Sequence, residues 1–420
     1  MKRTCALFLL LAFMATLAAC RPEPLFPGTP RYLRMQDRYR YLMQSGGVSV
    51  SDSAGAVAPP PSVYYTALAF PDWAEWREGD LRGAEVVLYK DGEEQLRVPI
   101  GDNPDPERHR VRGGHLWTDH IEGRETVVEC DGQEVLRYSG EEVLMGFLLV
   151  GEHLHTIGQL PGGQGFTYRI DGKEVFGDPA GIVVGSLNRR EWEGGALMAD
   201  SLYGVCYSYG VPFRSGDKTE WEYRTMSGDS CLKKMPKGTS ERLFDIRVYR
   251  GEVYRTEQRG ADATTICLVQ DNNYHSIDIQ PAEVPHLLEL VPLENGQMGV
   301  KGYSNGLVRR KKVFWYRDAQ GLHQQVSSYR DIPDLFVEGE RLAYCTTLEG
   351  VVQEAFQDGR SLEIAPNTYR LATPLCARLH QGRLLLLLSS VEGNDHLVLH
   401  GDTRTPFTFN GYFTSIVIAP

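Results

Sequence analysis

The residues that could support metal binding or catalysis are few. His153 and His155 stand two apart on a predicted strand and so share a face, an arrangement that two metal ligands can use. His115 occupies the corresponding position of an earlier repeat, and Asp119 and His120 follow it. His155, however, fills a position that is aromatic in related segments, which favours a histidine packed in the core. We therefore expect no metal site and no cofactor.

Catalytic motifs are also scarce. The chain contains no His-Glu-x-x-His, Gly-x-Ser-x-Gly or Walker pattern. Residues 215–221 are faintly similar to the Asp-box of sialidases but lack its glycine, and that motif is structural there. With 55 acidic residues, carboxylate pairs that mimic a glycosidase site arise by chance. We assign no catalytic residue and consider an enzyme the less favoured class.

Cysteine spacing excludes several kinds of site. Besides Cys5 and Cys20, six cysteines are present and no two have C-x-x-C spacing, which argues against a zinc or thioredoxin-like site. Most fall in predicted strands, where a thiol behaves as a small apolar group. Cys206 and Cys231 belong to one repeat and could form a disulfide in an oxidising compartment.

The first twenty residues have the form of an export signal. Lys2 and Arg3 precede an apolar stretch, residues 6–15, that is too short to cross a bilayer. Leu17-Ala18-Ala19-Cys20 resembles a bacterial lipobox, which implies cleavage before Cys20 and acylation of this residue. An ordinary signal peptide is the alternative. We predict a lipoprotein signal peptide over 1–19 and an outer-membrane lipoprotein that faces the periplasm or the cell surface.

A tether is predicted for residues 20–61. Prolines stiffen its beginning, and residues 46–61 are rich in Ser, Gly, Ala and Pro. The basic, tyrosine-rich stretch 31–43 either lies on anionic head groups or, as we prefer, packs against the main domain. The formal net charge is −11, and loss of Lys2 and Arg3 makes it −13. So acidic a chain is not expected to bind nucleic acid.

A tight turn after a short apolar run recurs at intervals of about 40 to 56 residues. The eight copies are Asp91-Gly92, Asp131-Gly132, Asp171-Gly172, Ser227-Gly228, Asp271-Asn272-Asn273, Asp318 with Gly321, Asp358-Gly359 and Gly401-Asp402. Asp-Gly favours the type I′ hairpin, because both central residues of that turn have positive φ. A fixed period with one such hairpin per copy indicates a repeat architecture.

Each repeat contains four short strand-like runs, which is typical of a β-propeller blade. We predict an all-β propeller over residues 62–420 with eight four-stranded blades. Seven blades are the alternative if the divergent stretch 178–240 is misassigned. The first copy lacks its first strand, and a surplus strand, residues 413–419, ends the chain. We expect this C-terminal strand to pair into the N-terminal blade and close the ring.

The repeats resemble the β-propeller units of exported lipoproteins of the Bacteroidetes type. Gly251-Glu252-Val253-Tyr254 and Leu88-Tyr89-Lys90-Asp91-Gly92 carry this resemblance. It covers residues 62–420, but through short and degenerate motifs. It supports the fold and implies little about function, because propellers host many chemistries.

Variable loops on one face of the disc are the expected binding site. Aromatic residues beside Arg and Asp suit a sugar or peptide groove, although each one can also serve in packing between blades. The candidate ligand-binding residues are Trp73, Trp76, Asp105, Arg189, Arg190, Trp192, Phe213, Arg214, Arg309, Arg310, Tyr329, Arg330, Tyr369 and Arg370.

Together these features predict a membrane-anchored binding module. The N-terminal lipid would hold it on the membrane, and its loop face would engage a glycan, a peptide or an envelope protein. The alternative is a carbohydrate-active enzyme, a lyase or glycoside hydrolase, with its site in the central funnel.

Overall fold

The computed structural model describes a chain built from β-strands. The described residues are 62–71, 83–99, 109–112, 114–150, 153–184, 195–236, 242–259, 265–270, 273–277, 284–292, 298–305, 312–318, 323–338, 341–373 and 376–419. The predicted signal peptide, Cys20 and the tether lie outside them. In this part of the chain no helix has the length and apolar character needed to span a bilayer.

The strands are short and follow one another closely. Up to residue 236 they are β1 (Ser62–Ala69), β2 (Glu85–Lys90), β3 (Glu93–Pro99), β4 (His109–Arg112), β5 (His115–Glu122), β6 (Glu125–Cys130), β7 (Gln133–Ser139), β8 (Val143–Val150), β9 (His153–Gln159), β10 (Phe166–Ile170), β11 (Lys173–Asp178), β12 (Ile182–Val183), β13 (Met198–Asp200), β14 (Gly204–Ser215), β15 (Lys218–Ser227) and β16 (Ser230–Pro236).

The second part of the chain continues the same pattern. Its strands are β17 (Arg242–Tyr249), β18 (Glu252–Arg259), β19 (Thr265–Gln270), β20 (Asn273–Ile277), β21 (Val284–Pro292), β22 (Met298–Asn305), β23 (Lys312–Asp318), β24 (His323–Ser328), β25 (Leu335–Glu338), β26 (Arg341–Leu348), β27 (Val351–Gln357), β28 (Arg360–Leu362), β29 (Tyr369–Arg370), β30 (Ala377–His380), β31 (Arg383–Ser390), β32 (Asp395–His400), β33 (Thr403–Thr408) and β34 (Gly411–Ala419).

The strands form a β-propeller with six four-stranded blades and one larger sheet. Five sheets have four antiparallel strands, and a sixth follows β12-β14-β15-β16 with β13 added beside β14. The larger sheet has nine strands in the order β25-β26-β27-β29-β31-β32-β33, with β28 beside β27 and β30 beside β31. The prediction of eight four-stranded blades, and its alternative of seven, is therefore wrong.

The blade count is wrong because hairpins were counted instead of sheets. The hairpins at Asp358-Gly359 and Gly401-Asp402 lie in the same nine-stranded sheet. The two-residue strand Tyr369–Arg370 joins its two parts. Arg370 pairs with Val351 of β27 and with Ser389 of β31, and Tyr369 pairs with Ser390 of β31. By contrast, the divergent stretch 178–240 contains one enlarged blade, as expected.

The predicted closure of the ring is confirmed. β34 pairs with β1 from Ser62↔Ala419 to Ala69↔Gly411 and becomes the innermost strand of the first blade. The Thr66 hydroxyl lies 2.7 Å from that of Thr414 across this pair. Both ends of the described part of the chain, Ser62 and Ala419, are thereby built into one sheet.

The turn chemistry predicted from Asp-Gly is confirmed where the structure describes it. Asp91, Asp131, Asp171 and Asp358 have φ between 50° and 52°, and the glycines after them are also at positive φ, as a type I′ turn requires. Each aspartate side chain also accepts a hydrogen bond from a backbone N–H at the start of the second strand of its blade. For example, the Leu154 N–H lies 2.8 Å from Asp171 Oδ1. The aspartate thus selects the turn and ties it to the neighbouring strand.

Apolar clusters lie between neighbouring blades and form the core. Trp117 and Phe147 from successive blades have ring centroids 5.4 Å apart. At the next boundary Phe166 lies 4.6 Å from Tyr209, with both rings fully buried. Aromatic residues of the repeat therefore hold blades together, which is the packing role that the sequence left open for them.

Candidate binding face

The alternation of strand direction gives the propeller two distinct faces. Tight turns such as Asp131-Gly132 join the third and fourth strands on one of them, which we call the turn face. Connections between second and third strands, and between successive sheets, lie on the opposite face, which we call the loop face. Every predicted ligand-binding residue that the structure describes lies on the loop face.

These residues come from three separate regions of the loop face. They are Phe213 and Arg214 in the β14–β15 hairpin, Tyr329 and Arg330 before β25, and Tyr369 and Arg370 in β29. The remaining predicted residues, Trp73, Trp76, Asp105, Arg189, Arg190, Trp192, Arg309 and Arg310, lie outside the described residues. The described set is therefore spread along the chain and does not come from a single loop.

The β14–β15 hairpin projects from the loop face. β14 has 12 residues and β15 has 10, whereas the second and third strands of the other sheets have five to eight. Among the described residues, neither flanking strand pairs with this hairpin beyond Gly210 or Glu222, so Val211–Trp221 has no described strand partner outside the hairpin. At about 3.3 Å per residue, the four extra residues of each strand extend it by roughly 13 Å.

The projecting hairpin has stacked rings at its base and an exposed phenylalanine near its tip. The rings of Trp221 and Tyr223 are stacked at its base, with centroids 6.3 Å apart and planes at 16°. Gly210 lies under them, because a Cβ there would be 3.0 Å from the Trp221 ring. Further out, Phe213 is 42% exposed and Arg214 is also exposed. A large aromatic side chain is thus held in water at the end of a rigid element.

The segment before β25 supplies a second exposed aromatic. Tyr329 is 66% exposed, and Arg330 Nη1 lies 2.7 Å from Glu354 Oε2. Asp331 exchanges two backbone hydrogen bonds with Thr347, so this segment is fixed to β26. The Arg330 side chain is committed to an ion pair, whereas the Tyr329 ring faces solvent.

Tyr369 and Arg370 serve the sheet. Both are half-buried, both pair through their backbone with β31, and the Arg370 guanidinium lies 5.9 Å from the centre of the Tyr412 ring. These contacts give both residues a structural role in the nine-stranded sheet.

Sequence reasoning missed three apolar residues on the same face. Ile121, Val143 and Leu348 are 37%, 40% and 57% exposed at the loop-face ends of their strands. With Phe213 and Tyr329 they make five of the eight exposed large apolar side chains in the described regions. The signal available in the sequence was their position as the first residue of a strand or as one of its last two.

The histidines considered as metal ligands lie toward the turn face. His155 is buried, with Nδ1 2.6 Å from the Tyr168 hydroxyl, which confirms its packing role. His153 is exposed, and its Nδ1 lies 2.5 Å from Asp171 Oδ2. The hydrogen bond from His153 lowers the pKa of the Asp171 carboxyl. His153 and His155 therefore have different partners and form no joint site.

Two further findings concern the cysteines and a buried charged pair. Cys206 is a buried free thiol and Cys231 an exposed one, so the disulfide considered between them is not formed. On β17, Arg247 and Asp245 are buried, with Nε 3.1 Å from Oδ2, and Asp245 Oδ2 also accepts the Leu290 N–H of the next blade at 3.0 Å. This charged pair joins two blades.

Comparisons with known proteins support the fold only. No family model matches the chain and no curated protein matches it. Among solved structures it is similar to the dihydro-heme d1 dehydrogenase NirN in complex with DHE, with 12% identity, a TM-score of 0.48, and 84% of this chain and 74% of that chain covered. It is also similar to BamB from Moraxella catarrhalis (10% identity, TM-score 0.42, 78% and 94% covered) and to the polysaccharide lyase Uly1 (11%, 0.36, 77% and 92%).

These likenesses are distant in sequence and partial in structure. The β-propeller assignment therefore rests on the sheet topology. Propellers host many chemistries, so the fold leaves the function open.

Proposed function

We propose that this chain is a lipid-anchored binding module whose loop face engages a protein of the cell envelope. The observation that carries the proposal is the projecting β14–β15 hairpin with Phe213 exposed near its tip. An exposed aromatic ring on a rigid element loses little conformational freedom on binding, which is the usual property of an interface anchor.

The residues around Phe213 suit a protein interface. Arg214 lies next to it, and aromatic residues and Arg are enriched where proteins bind one another. Tyr329 and Leu348 place further apolar surface on the same face. A projecting hairpin is convex and fits a groove on a partner, whereas a sugar site is normally a concave pocket. These features favour a protein over a glycan as the ligand.

The enzyme alternative has less support. Asp245 and Arg247, two buried charged residues on an inner strand, form an ion pair with each other. Asp245 also accepts a hydrogen bond from the next blade. Arg110, on another inner strand, lies over the Phe147 ring at 5.4 Å and donates to the Leu144 carbonyl. Each of these groups has a packing role, which favours a structural role for the inner strands over a catalytic one.

Photocrosslinking tests the binding face directly. With a photoreactive phenylalanine analogue in place of Phe213, we expect irradiated cells to give one crosslinked species of fixed mass that protease digestion removes. Val135 is 50% exposed in the turn-face half of β7 and is the matched control position, where no such species is expected. Equal crosslinking from both positions, or none from Phe213, Tyr329 and Leu348, would contradict the proposal.

The proposed anchor has its own test. Cleavage before Cys20 and acylation there would hold the domain on the membrane, because each buried methylene contributes about 0.8 kcal/mol. We expect Cys20→Ser to move the protein from the membrane to the soluble fraction, while Cys231→Ser leaves it on the membrane. A membrane-bound Cys20→Ser variant would exclude the acyl anchor and leave the loop-face proposal standing.

A further inference from the structure

Three potential metal ligands converge on the turn face of the second blade. His115 begins β5, Cys130 ends β6, and Asp131 opens the following turn. One donor atom from each residue lies within 4.8 Å of the other two. The sequence did not predict this group, because Cys130 has no partner cysteine and only the strand register brings it next to His115.

The backbone holds the three residues firmly. Cys130 pairs with Trp117, two residues after His115 on the neighbouring strand. Asp131 has φ of 52°; its N–H donates to the Leu116 carbonyl at 2.7 Å, and its Oδ1 accepts the Leu116 N–H at 2.8 Å. The second carboxylate oxygen, Oδ2, then lies 2.6 Å from His115 Nδ1.

We propose that His115, Cys130 and Asp131 form a binding site for a thiophilic divalent cation such as Zn²⁺. Imidazole, thiolate and carboxylate are all zinc ligands, and bonds of about 2.0–2.3 Å place two tetrahedral ligands roughly 3.5 Å apart. The His115 and Asp131 side chains are 60% and 36% exposed, so small rotations bring the donors to this spacing. The cation replaces the proton shared by Nδ1 and Oδ2 and the proton of the thiol.

The charges of the group fit a divalent cation. A thiolate and a carboxylate together neutralise the two positive charges of the ion, and both groups bind it in their deprotonated forms. Asp131 Oδ1 keeps its bond to the Leu116 N–H and orients the ligating carboxylate, as outer contacts do in metal sites. Three protein ligands leave one position of a tetrahedral ion open toward solvent.

The third blade provides a natural comparison. His153 and Asp171 there repeat the histidine–aspartate pair at 2.5 Å, but Ile170 occupies the position of Cys130. This repeated pair has two of the three ligand types and lacks the thiol. The thiol of Cys130 therefore distinguishes the second blade, because it adds a third ligand to a histidine–aspartate pair that otherwise only stabilises the hairpin.

Cobalt titration of the full chain under reducing conditions tests the site, because a thiolate bound to Co²⁺ gives a charge-transfer absorption in the near ultraviolet. We expect one equivalent of Co²⁺ to produce this band and Zn²⁺ to displace it. His115→Gln should weaken binding by at least roughly tenfold, and Cys130→Ser should abolish the band. His153→Gln and Cys231→Ser, which alter exposed residues outside the site, should leave it unchanged.

A gain of function gives a second, independent result. Ile170→Cys completes the same three ligands in the third blade and should add a second cobalt equivalent. Absence of the band in the folded parent protein, or its survival in Cys130→Ser, would overturn the proposal. Thermal melting of each variant distinguishes loss of the site from loss of the fold.

Discussion

Deletion of residues 414–420 is expected to abolish cooperative folding of the whole propeller. These residues form most of β34, the strand that pairs with β1 on the inner side of the first blade. Without them β1 exposes an unpaired strand edge toward the channel, and the N-terminal blade is no longer tied to the end of the chain. The ring then opens at the point where both termini meet.

The size of the effect follows from what β34 buries. Ile416, which the deletion removes, is 1% exposed and belongs to a core cluster that also contains Phe413, Tyr65 and Leu387. Truncating one such side chain typically costs about 2–5 kcal/mol. Loss of most of the strand removes several such contributions together with its hydrogen bonds, which is comparable to a typical free energy of unfolding of about 5–15 kcal/mol.

Differential scanning calorimetry checks this prediction. We expect the truncated chain to show no cooperative transition, or one shifted strongly to lower temperature. Phe413→Ala and Phe213→Ala form a matched pair, since the same ring is removed from a fully buried and from a 42% exposed position. Phe413→Ala should be strongly destabilised and Phe213→Ala nearly unchanged. A truncated chain that melts like the parent would show that closure contributes nothing.

The closure and the hairpins were predictable because both depend on local patterns. Asp131-Gly132 specifies a type I′ turn through the φ values that these two residues tolerate, whatever surrounds them. The missing first strand before Ser62 and the surplus strand after Tyr412 are visible in the order of the runs. Each inference uses short runs of the sequence, and the structure confirms the pairing of the C-terminal strand with the first blade and the Asp-Gly turns that it describes.

The number of blades was not predictable in the same way. The two-residue strand Tyr369–Arg370 has no periodicity that a sequence could reveal, yet it joins β27 and β31 into one sheet. Short tertiary pairings of this kind depend on neighbours that lie far apart in the sequence.

The candidate binding face was predicted as a face, but not in its details. Loop variability pointed to Phe213 and Tyr329, which the structure places in solvent. The same argument included Tyr369 and Arg370, which the structure uses for sheet pairing. Pattern alone cannot separate these cases, because exposure of an aromatic ring is decided by the neighbouring strand and not by its own residue type.

Buried charge was likewise invisible in the sequence. Glu142 follows Gly140 and Glu141 in a link that looks like solvated surface, yet its side chain is 1% exposed. Its Oε1 lies 2.8 Å from Nη2 of Arg169, whose guanidinium lies 4.6 Å from the centre of the Tyr138 ring. Burial and the Glu142 carboxylate raise the pKa of the Tyr138 hydroxyl, which therefore stays protonated and donates to Glu142 Oε2.

Glu142→Ala is accordingly expected to be among the most destabilising single substitutions. It leaves the Arg169 guanidinium, whose side chain is 12% exposed, without its principal counter-charge at the boundary of two blades. Breaking a buried pair from one side typically costs about 3–5 kcal/mol. Glu134→Ala is the matched control: Glu134 also pairs with an arginine at 2.7 Å, but this pair with Arg137 is exposed to solvent. Exposed pairs of this kind contribute little.

Urea denaturation separates an unpaired buried charge from a simple loss of packing. We expect the midpoint to fall strongly in Glu142→Ala and to stay within error in Glu134→Ala. Removing Arg169 as well eliminates the uncompensated charge, so the double variant Glu142→Ala, Arg169→Ala should be more stable than the sum of the two single effects implies. Strict additivity would mean that the two side chains contribute only by filling space. The link between the second and third blades would then depend on close packing, such as that of Glu142 against Gly158, where an added Cβ would lie 2.8 Å from the Glu142 Cβ.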